Sequence, residues 1–203
     1  MPASYHHGSL REALVAEGRR QLEAEGPHAI SLRGLAKRIG VSHSAPVRHF
    51  GSRDELIDAI AADGFADLTR RLAAADTEHG LSARLSTYAH AHVRFALDNG
   101  ALMQLMFAGW PGAGGSMTRE AAERFFALGR SMLGEPDARG PGVMPYLLAG
   151  TLEGISALVI AGRLPLDQVD GVVDAAVQMM LPTIEEQLGA AGTGRDAAAS
   201  AEV

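Results

Sequence analysis

The chain has 203 residues, 47% of them hydrophobic and 21% charged, which is enough for a proper core. It has no cysteine, which removes disulfides, thiolate catalysis and Cys-based metal sites together. With no run of about eighteen uninterrupted apolar residues and no basic-then-apolar leader, a cytoplasmic protein without a membrane span is expected. The net charge of -6 argues against nucleic acid, but it is unevenly spread: residues 1–53 hold eight Arg or Lys against four Glu, and 54–203 hold ten basic against twenty acidic residues. A basic module joined to an acidic body is the reading this asymmetry supports.

Val, Ile, Thr and the aromatic residues never gather into alternating runs, so an all-α fold is expected. "SLREALVAEGRRQLEAEG" places Ser9 and Glu12 at capping-box spacing and Leu10, Leu14, Gly18 and Leu22 on one face, predicting a helix over 9–25. Gly26 and Pro27 end it, and Ser31 caps "LRGLAKRI", a helix of about two turns closed at Gly40. "VSHSAPVRHF" then reads as a second short helix, with Pro46, Val47 and Phe50 on one side and Ser44, Ala45 and Arg48 opposite, His49 beside them. "GSRDEL" restarts a capping box at Ser52 and Glu55, and Leu56, Ile57, Ile60, Gly64 and Leu68 carry a long helix to about residue 75. Further helices are expected near 81–98, in "NGALMQLMFAGW", and near 117–134, 143–163 and 166–188. The segment 190–203 lacks apolar periodicity and is expected to be disordered.

Two short helices joined by "IGVS" and flanked by longer ones make a helix-turn-helix. Its second helix has a polar side without a carboxylate, as a surface lying in a phosphate-lined major groove requires. Arg48 is suited to guanine O6 and N7 or to a phosphate, and His43, Ser44 and His49 can donate hydrogen bonds. Arg33, and Arg53 beside the free amides of the next helix, are placed for phosphates. Ser42, Ala45 and Val47 complete the candidate DNA-binding set.

"SLRGLAKRIGVSHSAPVRHFGSRDELIDAI" resembles the tetracycline-repressor (TetR) family of bacterial transcription regulators. The likeness spans residues 9–68: the Ala and GVS turn, the HF ending of the recognition helix, and the Ser-basic-acid-Glu-Leu start of the next one. It implies an all-α homodimer that binds a palindromic operator in duplex DNA through three N-terminal helices, and whose C-terminal domain holds a small effector that relieves repression. The domains expected are 1–53, with 53–75 as connector, 76–189 for ligand binding and dimerisation, and the tail 190–203. Where the family commonly has Leu-Tyr this chain has Pro46-Val47, so a tyrosine-to-phosphate bond is missing.

In the acidic body Tyr88, His92, Met103, Met106, Phe107, Trp110, Phe126, Met132 and Met144 supply soft and aromatic side chains suited to a mostly apolar effector, although ordinary core explains each singly. Gly150, Gly154 and Ala157 lie along one side of "LLAGTLEGISALVIAG". With Ile155 there and Val173 and Val177 in "VVDAAVQMM", they form the candidate dimer interface. Burial within one chain explains that pattern nearly as well, and the resemblance favours the dimer. No enzyme motif is present: His90 and His92, two apart, are not a metal pair, and no cofactor is implied. A helical interaction or small-molecule-binding protein that never meets DNA is the alternative.

Overall fold

The computed structural model describes residues 7–76, 80–107, 109, 112–133 and 143–200, with side chains described from 10 to 188 of these. Among them are eight α-helices and no strand: α1 (His7–Glu25), α2 (Leu32–Arg38), α3 (Arg53–Ala75), α4 (Leu81–Asp98), α5 (Gly100–Phe107), α6 (Ser116–Met132), α7 (Val143–Ile160) and α8 (Val169–Ser200). Short 3-10 turns occur at Pro27–Ala29, Pro46–Arg48 and Leu166–Gln168. Packing divides the chain into two compact units. Unit 1 combines residues 1–68 with 98–124, and unit 2 combines 69–97 with 125–203. The boundaries expected from the sequence run contiguously; the packing does not.

Unit 1 is built on α1 and α3. Leu14 and Leu22 of α1 and Leu56, Ile57, Ile60 and Leu68 of α3 are fully buried. Gly18 lets the two helices approach, since a Cβ there would stand 2.5 Å from Ile60 Cδ1. At Gly64 a Cβ would stand 2.6 Å from Met106 Sδ, so α5 lies as closely on α3. Two helix N-termini are capped from other helices, which satisfies amides that have no partner within their own helix. Glu23 of α1 accepts from the amides of Ala101 (3.1 Å) and Leu102 (2.9 Å) at the start of α5. Asp58 of α3, itself buried, accepts from Met117 (3.1 Å) and Thr118 (3.2 Å) at the start of α6. Arg19 bonds Asp63 (2.8 Å), Asp67 (3.1 Å) and Asn99 (3.3 Å). Burial works against its charge, yet the bonds to the two aspartates hold the guanidinium more firmly protonated than usual.

In unit 2, α7 lies on α8, the connection turning at Gly162 (φ 66°), where Gly162 and Arg163 donate to the Val159 and Leu158 carbonyls at 2.9 and 2.8 Å. That pattern closes a helix through a left-handed glycine. By length and mean hydropathy (1.6 over 18 residues) α7 would also suffice to cross a membrane, but 44% of that stretch is buried inside the protein. His92 Nε2 lies 2.9 Å from Glu153 Oε1, on α7. His90, two residues earlier, faces α8 instead, 2.8 Å from Asp174.

Three expectations need correcting. The first helix begins at His7, so Ser9 lies inside it instead of capping it. The stretch 190–200, expected to be disordered, continues α8 to Ser200; a helix already begun at Val169 has only to propagate through it, without a new nucleus. Residues 201–203 lie outside the described residues. The third correction concerns residues 42–50, expected to be the second short helix of the helix-turn-helix.

Candidate nucleic-acid interface

Ser31 caps α2 by accepting from the Gly34 amide at 3.1 Å. The helix closes at Gly40 (φ 73°), where Gly40 donates to the Lys37 carbonyl (3.4 Å) and Val41 to the Ala36 carbonyl (3.0 Å). An L side chain at Gly40 would be strained, so this glycine sets the angle at which the chain leaves α2. On the far side, Ser52 Oγ accepts from the Glu55 amide (3.1 Å) and Glu55 reaches back to the Gly51 amide (2.7 Å), starting α3.

Between these two fixed points the segment is not the two-turn α-helix expected. Ala45 donates to Ser42 (3.0 Å), Arg48 to Ala45 (3.2 Å) and His49 to Pro46 (2.9 Å), a succession of i to i-3 bonds with 3-10 winding at Pro46–Arg48. The proline explains it: Pro46 has no N–H to donate to the Ser42 carbonyl, so the α-helical ladder loses its central bond and the tighter turn takes over. Pro46 is buried as expected, and Phe50 is fully so. Val47, expected on that same inner side, is 57% exposed: the 3-10 turn ends at Arg48 and Phe50 bonds back to the Pro46 carbonyl (2.9 Å), so no single helical wheel relates residues 46, 47 and 50.

Ser42, His43, Ser44 and Arg48 are exposed, Ala45 and His49 half-buried, and the outward side of residues 42–49 has no carboxylate. Ser42 and Ser44 share a bond between hydroxyls (3.3 Å). Arg33 is exposed on α2 and, among the described residues, neither it nor Arg48 makes an ion pair. Lys37, exposed one turn after Arg33, adds a cation to that face; its four-residue spacing from Arg33 was a readable signal. Arg38 differs, being spent on Glu17 and Glu25. Arg11 of α1, a further residue missed in the sequence, sits over the Phe50 ring (5.1 Å) and donates to Met117 Sδ (3.0 Å), holding the end of the reading segment from beneath.

Arg53 does something other than expected. Its Nε and Nη2 donate to the carbonyls of Ile30 (2.9 Å) and Pro27 (2.6 Å), and its Nη1 lies 3.9 Å from Asp54. These bonds tie the start of α3 to the turn before α2. The guanidinium is committed to positioning the motif, which leaves little of it for a phosphate.

The candidate effector residues fall into both units. Met103 and Met106 are buried in unit 1, where the edge of the Phe107 ring meets Phe65 (4.9 Å). Tyr88, His92, Met132 and Met144 are buried in unit 2, and Phe126 stacks at a tilt on Tyr146 (5.0 Å). Burial pushes the Tyr88 phenol well above its ordinary value, so it stays a neutral hydrogen-bonding group. Trp110 lies outside the described residues. Of the candidate dimer residues, Gly150, Gly154 and Ala157 are exposed, but Ile155, Val173 and Val177 are buried in the chain's own core and are corrected to that role.

A turn of cationic and hydroxyl side chains, free of carboxylates and held by a three-helix base, defines a helix-turn-helix DNA-binding domain. The comparisons agree. The profile of bacterial regulatory proteins, tetR family, matches residues 14–60. The HTH-type transcriptional regulator Rv1816 of Mycobacterium tuberculosis is 43% identical over 58 residues, 28% of this chain and 25% of that protein, so the match spans about a quarter of this curated relative. A protein of unknown function from Rhodococcus sp. RHA1 is 38% identical with a TM-score of 0.73, covering 87% of this chain and 96% of that one. The TetR family regulator PfmR from Thermus thermophilus shares the fold, at 19% identity and a TM-score of 0.60, over 83% of this chain and 97% of that one. The chain belongs to the tetR family of bacterial regulatory proteins, and residues 14–60 carry that family's helix-turn-helix domain.

Proposed function

We propose that the protein is a ligand-responsive repressor, not an enzyme, that acts in the cytoplasm and binds a palindromic operator as a homodimer. The observation that carries the DNA-binding part is the outward side of residues 42–49, where Arg48, His43 and Ser44 stand without a carboxylate near the unpaired Arg33 and Lys37 of α2. Arg48→Ala should weaken specific binding by about 1–3 kcal/mol. Arg33→Ala should weaken specific and non-specific binding alike and lower the salt slope by about one phosphate contact. Arg53→Ala should lower affinity without changing that slope, because its donors hold carbonyls. Duplex binding unaffected by Arg48→Ala and Arg33→Ala together would favour the alternative of a helical binding protein that never meets DNA.

The dimer is assigned to the exposed side of α7 and α8, where Tyr146, Leu147, Gly150, Gly154 and Leu158 lie open on α7 and Met179, 72% exposed, on α8. Such a stripe on two adjacent helices suits a two-fold four-helix contact. The effector is a small, mostly apolar molecule bound in unit 2 among Tyr88, His92, Phe126 and Met144. Ser156 Oγ and Arg130 Nε are buried there without a partner among the described residues, which suits a ligand carrying one polar acceptor. A dimer reads successive major grooves only if its reading turns stand about 34–36 Å apart, so a ligand that favours another spacing lowers affinity. Linkage supplies the test: saturating operator must weaken ligand binding by the factor by which ligand weakens operator binding.

A further inference from the structure

Building on the DNA-binding reading, we infer that each reading turn recognises a thymine beside a guanine: Val47 packs on the thymine 5-methyl group while Arg48 takes the neighbouring guanine. Val47 is the one large apolar side chain exposed among the described residues 42–49, at 57%, and its exposed neighbours are Ser42, His43, Ser44 and Arg48. A single exposed valine would need no explanation on an ordinary surface, but this one is held in place. Pro46 beside it is buried, and Phe50 three residues on is fully buried under Arg11. Arg48 and His49 close the turn through bonds of 3.2 and 2.9 Å. The β-branched side chain has few rotamers, so its exposed methyl surface has little entropy left to lose on binding.

The major groove offers such a group one apolar counterpart, the thymine methyl; every other base-edge feature there is a hydrogen-bond donor or acceptor. Consecutive Cα atoms stand about 3.8 Å apart, close to the spacing of about 3.4 Å between base pairs. Val47 and Arg48 are consecutive and both exposed, so their side chains leave one short stretch of backbone within reach of neighbouring base pairs. Ser44, exposed three residues before Val47, can flank the step.

The test uses the full chain. Duplexes are selected from a random library by the native protein, and each thymine is then replaced by deoxyuridine and each guanine by 7-deazaguanine. One thymine per half-site should lose about three- to fivefold in affinity on losing its methyl, and the loss should vanish in Val47→Ala. The guanine beside it should lose about tenfold on losing N7, and that loss should vanish in Arg48→Ala. Val47 is exposed, so its variant should melt with the native protein, keeping the comparison one of binding. Deoxyuridine effects equal in native and Val47→Ala proteins overturn the inference, as does a methyl-sensitive thymine that does not adjoin the sensitive guanine. Failure of the native protein to select any duplex overturns the DNA-binding reading beneath it.

Discussion

A Cβ added at Gly18 or Gly64, in unit 1, would stand 2.5 Å from Ile60 or 2.6 Å from Met106, whereas one added at Gly150 or Gly154, in unit 2, would meet nothing within 4 Å. All four sit in helices, where glycine costs about 0.5–1 kcal/mol relative to alanine. In unit 1 a closely packed neighbour within the chain offsets that cost. In unit 2 nothing among the described residues does, and the proposed dimer would supply such a neighbour. Both units bury polar groups, His92 and Ser156 among them in unit 2, but one carboxylate in each differs in exposure. Unit 1 buries the carboxylate of Asp58 against helix amides, while unit 2 keeps its Asp76–Arg84 pair (2.6 Å) near solvent.

The sharpest break in this comparison is Gly18→Leu, which should destabilise the chain by about 3 kcal/mol through overpacking on Ile60. A urea midpoint that stays in place would remove the contrast between the two kinds of glycine. Asp58→Ala should cost about 1–3 kcal/mol, since it strips the acceptor from two α6 amides; Asp58→Asn, which keeps one acceptor oxygen, should recover part of it in the same denaturation.

Gly154→Leu should weaken dimerisation at least tenfold, about 1.4 kcal/mol, read by sedimentation, because close helix approach is lost. Gly154→Ala should by contrast raise the stability of the dissociated chain by about 0.5–1 kcal/mol. A native protein that sediments as a monomer, or a leucine variant that stays dimeric, would show that these glycines serve something else.

The smallest effect is expected at Arg84. Hydrogen bonding to Arg84 holds the Asp76 carboxyl below its ordinary value of 3.8. A depressed value means the contribution is complete above that pH and is lost as pH falls through the lowered value. Arg84→Gln should therefore shift the urea midpoint slightly at neutral pH and leave it unchanged in strong acid; a shift that persists in acid would mean packing, not charge, is at work.

Much of the reading domain was legible because its signals are local. Ser31, Gly40, Ser52 and Glu55 act within four residues of where they stand, and the bonds they make are those their spacing predicts. What the sequence hid acts over distance or through competition. Arg53 looked free because its acceptors are backbone carbonyls 23 and 26 residues away, which no side-chain pattern reports. Glu23 and Asp58 look like surface carboxylates until the helices they cap arrive from more than fifty residues on. Val47 was misplaced because a helical wheel assumes 3.6 residues per turn, and Pro46 breaks that assumption at its centre. Ile155, Val173 and Val177 share helices with the open glycines, and periodicity alone cannot say which apolar face meets its own chain.

The non-contiguous make-up of unit 1 bears on modularity. The family match ends at residue 60, yet the unit that holds it is completed by 98–124, whose helices borrow their caps from α1 and α3. A fragment cut after α3 would leave Glu23 and Asp58 without the amides they serve and Gly64 without Met106 above it. A reading head cut out and grafted onto another body as a cassette is therefore expected to lose stability. A working chimera has to carry α5 and the first turns of α6 along with it, and any exchange of bodies across such regulators has to respect that seam.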